Sequence, residues 1–335
     1  MNGAQVLMSS ASAAGIDVCF SNPGTTELAM IEALDKNKTI RPVLSLFEGV
    51  CSGAADGFGR MLGRPAMTLL HLGPGFANAI ANLHNARRAH SPILNIIGDH
   101  ATWHVDYDPP LASDIASLAQ PVSDWLAYAS SADDCTTKIN EGLEVCATAP
   151  GKISTLVVPT DVQEAKSGIS DGIQPNDFQP NWKFSGKKVE QLAKRLSDTN
   201  GEVIILLGTK ALTERGQNAA HRVAVKLNAK IYAETFPARW DRGAHISVPE
   251  RFPYFPEIGL EVLKNAKTII LVGVKAPVAY FGVTGVPSKL FPEDAIYELA
   301  SVAEDAEGAI VSVAEAIGAT NIKTFSEWKP PRQPD

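Results

Sequence analysis

Short apolar runs that end in polar or glycine-bearing turns, each followed by a stretch with helical spacing, recur through the first half of the chain. Asp17–Phe20 runs into Ser21-Asn22-Pro23-Gly24-Thr25, and Glu27–Asp35 then reads as helix. Pro42–Phe47 leads to Glu48 and a helix over Gly49–Met61, in which Gly53, Ala54 and Ala55 permit close packing. Ala66–Leu70 ends at His71, and Gly73-Pro74-Gly75 opens a helix to about Ala89. Ile93–Ile97 ends at Gly98-Asp99-His100, and Ile153–Val158 ends at Pro159-Thr160-Asp161. Strands that are apolar at nearly every position are buried on both faces, which predicts a parallel sheet covered by helices on either side.

Over 168–184 the composition shifts to Gly, Asp, Pro, Asn and Gln with little apolar periodicity, so this stretch reads as a linker. It separates a first domain over 1–167 from a second over 185–322. In the second, the pattern predicts helices at Lys187–Leu196 and Leu212–Leu227 and strands at Glu202–Leu207 and Lys230–Ala233. A stretch rich in proline and aromatic residues (Pro249–Pro256), a strand at Thr268–Val272 and a helix at Ala303–Ile317 follow. Residues 323–335, with Pro330, Pro331 and Pro334, read as a tail or further linker. The fold class expected is α/β, two doubly wound domains, each with a mostly parallel sheet flanked by helices.

A length of 335 residues suits two such domains, and 45% hydrophobic with 20% charged residues suffices for sizeable cores. Thirty-seven acidic against 30 basic residues give a net charge of −7, which argues against a nucleic-acid platform. The first 35 residues hold no Lys or Arg, and no run of 18 apolar residues occurs. Neither a signal peptide nor a membrane span is indicated, and a cytoplasmic enzyme acting on small molecules is expected. Cys19, Cys51, Cys135 and Cys146 lie far apart without CxxC spacing and read as buried free thiols.

Ligands of a parallel α/β sheet bind beyond the carboxyl ends of its strands. The polar residues expected there are Asn22, Glu48, His71 and Asp99, with Thr25, Thr26, Asn78 and His100 nearby. Glu48 has two readings. It is a carboxylate favoured by a helix N-terminus, or a partly desolvated acid that shares a proton with a ligand nitrogen. His71 is a structural strand-end histidine or, beside Glu48, an acid/base or substrate-binding group. Gly73-Pro74-Gly75 with Asn78 is a turn into a helix, or a place where backbone and amide approach a ligand closely. Trp103 reads as a loop packing residue, and Arg239 and Arg242, flanking Trp240-Asp241, as phosphate contacts or surface charges.

These residues carry a resemblance. Asn22-Pro23-Gly24-Thr25-Thr26-Glu27-Leu28, Phe47-Glu48 ahead of Ala54-Ala55-Asp56-Gly57-Phe58-Gly59-Arg60, and His71 with Gly73-Pro74-Gly75-Phe76-Ala77-Asn78-Ala79 stand in order. Ala89-His90-Ser91-Pro92-Ile93 and the strand ending at Gly98-Asp99 follow. In these pieces the first domain resembles the pyrimidine-binding domain of thiamine-diphosphate enzymes of the acetolactate synthase and benzoylformate decarboxylase superfamily. Residues 185–320 resemble its central domain, without a sharp motif.

The resemblance implies that Glu48 is catalytic and bonds the cofactor's aminopyrimidine N1′. It further implies that Pro23, Gly24, Gly75 and Asn78 line the cofactor, and that His71 and Thr25 face a 2-oxo acid substrate, His71 with a catalytic part. The product of decarboxylation leaves as an aldehyde, or joins a second carbonyl to give a 2-hydroxy ketone as in an acetolactate synthase large subunit. These enzymes normally carry a third domain with a Gly-Asp-Gly motif, which holds the diphosphate through Mg²⁺. No Gly-Asp-Gly occurs here, so the Mg²⁺ and diphosphate are expected on a domain absent from this chain. That implies a homo-oligomer, a partner chain bearing that domain, or both. A non-catalytic assembly module is the remaining alternative. Flavin (FAD) occurs in synthase-type relatives, but Gly208-Thr209-Lys210 and Gly273-Val274-Lys275 are no G-x-G-x-x-G fingerprint, so flavin is possible and unsupported.

Overall fold

A computed structural model describes residues 1–169 and 180–323; the proline-bearing tail and most of the expected linker lie outside the described residues. The chain divides into two units, Met1–Asn181 and Trp182–Asp335.

The first unit runs α1 (Gly3–Ala13), β1 (Val18–Asn22), a 3-10 turn (Thr25–Glu27), α2 (Leu28–Lys36), β2 (Arg41–Leu44), α3 (Glu48–Leu62) and β3 (Ala66–His71). It continues through α4 (Leu72–Ala89), β4 (Ile93–Asp99), α5 (Ile115–Ala119), β5 (Trp125–Tyr128), α6 (Asp134–Ala147), β6 (Ile153–Pro159) and α7 (Thr160–Glu164). Its strands are all parallel, in the order β2-β1-β3-β4-β6-β5. On one face Met67, Leu69, Leu94 and Ile96 pack with Leu7 and Met8 of α1 and Leu143 of α6. On the other, Leu70, Ile93 and Ile97 pack with Ala55 of α3 and Phe76 and Leu83 of α4. Two-sided burial explains why β3, β4 and β6 are apolar at most positions, and the buried Thr68, Asn95 and Thr155 bond one another across the three strands. The edge strands β2 and β5 are half-buried or exposed, and Pro42 is tolerated on β2 because an edge strand has no second ladder to complete.

Three elements of this unit lack a clear pattern in the sequence. The helix α1 is held by a capping box, Asn2 Oδ1 accepting from Gln5 N–H and Gln5 Oε1 from Asn2 N–H. The strand β5 is too short and exposed to show an apolar run, and α6 buries only one stripe, Cys135, Ile139, Leu143 and Cys146. The four cysteines are free and buried, and burial pushes the Cys146 thiol up to about 11. Trp103 does not pack into a loop core. It is 70% exposed and touches His104 edge-on, because the loop after β4 runs over the surface.

The second unit runs α8 (Gly186–Asp198), β7 (Glu202–Leu207), α9 (Glu214–Leu227), β8 (Lys230–Ala233), β9 (Glu250–Arg251), α10 (Pro256–Leu263), β10 (Ala266–Val272), β11 (Ile296–Ala300) and α11 (Ala306–Ala316). Its five strands are also all parallel, in the order β11-β10-β7-β8-β9. The helix expected from Leu212 starts instead at Glu214. Residues Thr209–Leu212 form a 3-10 turn, and Thr213 caps α9 by accepting from Gly216 N–H. Among the described residues, no helix is long and apolar enough to cross a membrane.

Candidate active site

In the first sheet the strand order reverses between β1 and β3, since β2 lies on one side of β1 and β3 on the other. A crevice at such a switch point is where a doubly wound domain binds its ligand. The turn after β1, the start of α3 and the start of α4 all meet this edge, and each brings a residue that the sequence singles out.

Glu48 is the first residue of α3, entered from an extended Phe47. Small residues let α3 lie tightly on α4. Ser52 Oγ donates to Ala79 O (3.0 Å), and Asn82 Nδ2 donates to Gly49 O (2.6 Å). These bonds fix the start of α3 against Asn78, whose Nδ2 donates to Glu48 Oε2 (3.0 Å). Glu48 Oε1 accepts no hydrogen bond among the described residues. It lies beside Gly75, where an added Cβ would stand 2.9 Å from it and 3.2 Å from His71 Cβ. Gly75 is therefore the gap between the two groups, and any side chain there would fill it. The apolar residues leading into Glu48 are not a buried junction: Leu44 and Phe47 are exposed, and Leu46 is 95% exposed.

His71 ends β3, and Leu72 behind it has a φ of 49°, a strained value for a non-glycine residue that turns the chain sharply into α4. The His71 Nδ1 lies 2.8 Å from Glu27 Oε2. A carboxylate can only accept, so Nδ1 carries the hydrogen of this bond. The Nε2 makes no hydrogen bond among the described residues.

Glu27, which the sequence reading gave no role, organises this corner. It is 0% exposed, and its carboxylate also accepts from Gly24 N–H (2.7 Å) and Thr26 Oγ1 (2.7 Å). Gly24 and Gly98 make room for the pair. A Cβ at Gly24 would come within 2.3 Å of His71 Nδ1, and one at Gly98 within 2.1 Å of Glu27 Oε1. Gln163 of α7 holds the same turn by donating to Thr26 O (2.9 Å) and Val158 O (2.8 Å). The available signal for Glu27 was its place three residues after Gly24 and just ahead of α2, a spacing that equally reads as a plain cap.

The structure brings Glu48, Gly75, Asn78, His71 and Gly24 together. Pro23 lies in the same turn, half-buried, whereas Thr25 is exposed and Thr26, not Thr25, meets His71, at 3.3 Å from Nδ1. Asn22 is a strut, its Nδ2 donating to Ser45 O (2.7 Å) between the ends of β1 and β2. Asp99 ends β4, and burial pushes its carboxyl above the usual range against the bond from His100 N–H.

The comparisons with known proteins bear on the same region. The family model described as "Thiamine pyrophosphate enzyme, N-terminal TPP binding domain" matches residues 1–120. The protein named "Putative acetolactate synthase large subunit IlvX" of Mycobacterium tuberculosis is 36% identical over 341 residues, covering 100% of this chain and 64% of that protein. Residues 1–120 thus match the N-terminal domain family of thiamine-diphosphate enzymes, and the chain resembles such an enzyme along its whole length. The chain is also 28% identical to benzoylformate decarboxylase of Pseudomonas aeruginosa over 195 residues, 57% of this chain and 36% of that enzyme. In fold it is similar to the thiamine diphosphate-dependent 4-hydroxybenzoylformate decarboxylase of Rhodococcus jostii RHA1. The TM-score is 0.81 at 21% identity, covering 99% of this chain and 65% of that one. The chain thus spans about two thirds or less of the length of these relatives.

Proposed function

We propose that this chain supplies the pyrimidine-binding half of a thiamine-diphosphate site that decarboxylates a 2-oxo acid, in the manner of an acetolactate synthase large subunit. The single observation that carries the reading is Glu48, held by Asn78 beside the gap at Gly75 with Oε1 open to the crevice. An acidic oxygen with no internal partner suits a ring nitrogen that must gain and lose a proton. When bound, thiamine diphosphate supplies an electron sink for the carbon–carbon bond that breaks. Glu48 holds or gives up a proton at Oε1, Asn78 fixes the rotamer of its carboxylate, and Gly75 leaves the cofactor room.

His71 serves the substrate side. With Nδ1–H held on Glu27, Nε2 is the ring atom left to face the substrate, where it can hold a substrate proton and return it. This oriented imidazole favours a second reading, a simple 2-oxo acid decarboxylase like benzoylformate decarboxylase, in which the product is protonated and leaves as an aldehyde. Thr25 and Pro23 belong to the same turn and complete the proposed substrate and cofactor lining.

The diphosphate and its Mg²⁺ are assigned to a domain outside this sequence, on a partner chain or a further part of the protein. The exposed Leu44, Leu46, Phe47 and Val50 around Glu48 support a covering chain on this edge. Product analysis with pyruvate tests the proposal on the assembly completed by a Gly-Asp-Gly domain. A 2-hydroxy ketone acid supports the synthase reading and free aldehyde the decarboxylase reading. Unchanged turnover in Glu48→Gln would overturn both.

A further inference from the structure

The second sheet has its own switch point, between β7 and β10, and its loops differ in kind from those of the first. Thr209 Oγ1 donates to Gly273 O (3.0 Å) across the two strand ends. A Cβ at Gly208 would meet Gly273 O at 2.7 Å, and one at Gly273 would meet Thr209 Oγ1 at 2.5 Å, so the two loops already touch. The Thr209 N–H donates to Glu234 Oε1 (3.3 Å), from the end of the adjacent β8. At the start of α9, Glu214 N–H donates to Asp241 Oδ2 (3.3 Å). After β11, Ser301 N–H donates to Glu304 Oε2 (2.7 Å), and Gly308 N–H donates to Asp305 Oδ1 (3.0 Å).

A dinucleotide is held at such a crevice by backbone N–H groups and a helix N-terminus aimed at its diphosphate. Here the Thr209 and Glu214 N–H groups are taken by the chain's own acids, and the Gly216 N–H of α9 by the Thr213 hydroxyl. The arginines nearby are engaged: Arg239 pairs with Asp241 (3.0 Å), and Arg242 stacks over Trp240 at 4.0 Å. Burial pushes the Glu234 carboxyl up to about 7, consistent with an acid lodged in the crevice without a cation beside it.

We infer that the central unit is closed to FAD and other diphosphate-bearing dinucleotides, with Glu234 and Asp241 occupying the positions that a bound diphosphate would need. The residues present do not fit a flavin cofactor. The inference concerns the second unit alone and stands whether or not the first binds thiamine diphosphate.

Titration of the full chain with FAD, read by quenching of flavin fluorescence, tests it. The wild-type chain should show no saturation. Glu234→Ala combined with Asp241→Asn frees the Thr209 N–H and removes both acids, and should bind FAD at least about tenfold (about 1.4 kcal/mol) more tightly than the wild-type limit. Should the double variant fail to fold, Glu234→Gln, which keeps the shape and loses the charge, should move in the same direction. Saturation of the wild-type chain with one FAD, or folded variants that bind no better than wild type, would overturn the inference.

Discussion

Two parallel sheets in this chain reverse their strand order in the same way, yet treat the resulting crevice in opposite manners. At the first, between β1 and β3, a carboxylate oxygen of Glu48 and a ring nitrogen of His71 have no hydrogen-bond partner among the described residues, and glycines at 24 and 75 leave room beside these two side chains. At the second, between β7 and β10, a threonine bridges the strand ends and carboxylates cap the backbone donors. The architecture supplies a possible site twice, and local side chains decide whether it is open. A fold-level likeness would treat the two crevices alike; the hydrogen-bond accounting separates them.

The comparison can be broken most sharply at Glu48. In the completed assembly, Glu48→Gln should lower turnover of a 2-oxo acid by about 10²–10⁴-fold, the usual worth of a positioned acid/base group. Steady-state kinetics on a variant with an unchanged melting temperature is the check. Glu27→Ala should cost stability as well as activity. It leaves Gly24 N–H and His71 without their buried acceptor, at about 2–5 kcal/mol by denaturant unfolding. A loss below about 0.5 kcal/mol would show that the corner is not organised by Glu27.

The closed crevice makes a pH prediction. Glu234 is raised from its ordinary 4.5 to about 7 by burial, so the folded state holds this proton more tightly than the unfolded chain does. Its stabilising contribution is complete below about pH 4.5 and is lost as pH rises through about 7. Denaturant unfolding of wild type minus Glu234→Gln, followed from pH 4.5 to 8, should therefore show wild type falling relative to the variant by about 3 kcal/mol. A flat difference would mean that Glu234 is solvated. Smallest in effect, Gly75→Ala should weaken thiamine diphosphate binding by about tenfold with little loss of stability, since its Cβ crowds Glu48 Oε1 in the open gap. Calorimetry on the completed assembly reads this directly.

Much of the fold was legible because burial on both sheet faces leaves runs apolar at nearly every position, as in Met67–Leu70, Ile93–Ile97 and Ile204–Leu207. Edge elements such as β5 and β9 were not, because exposure removes the pattern that identifies a strand. In the site, Glu48, His71, Gly75 and Asn78 were readable from their places at strand ends and turns. Glu27 was hidden because its importance comes from three donors that only the folded chain brings to it. The contrast between Thr25 and Thr26 was likewise unreadable: adjacent hydroxyls in a 3-10 turn point to different neighbours, and spacing alone does not choose between them.

The central claim is that the Glu48 carboxylate meets the aminopyrimidine of thiamine diphosphate and governs a proton there. Deuterium exchange at the thiazolium carbon of the bound cofactor, followed by acid quench and proton NMR on the completed assembly, reports on that proton traffic without requiring any substrate. Rapid exchange in the wild type and exchange slowed by about 10²-fold or more in Glu48→Gln is the predicted result. Equal exchange rates in the two proteins, with the cofactor bound in both, would contradict the account.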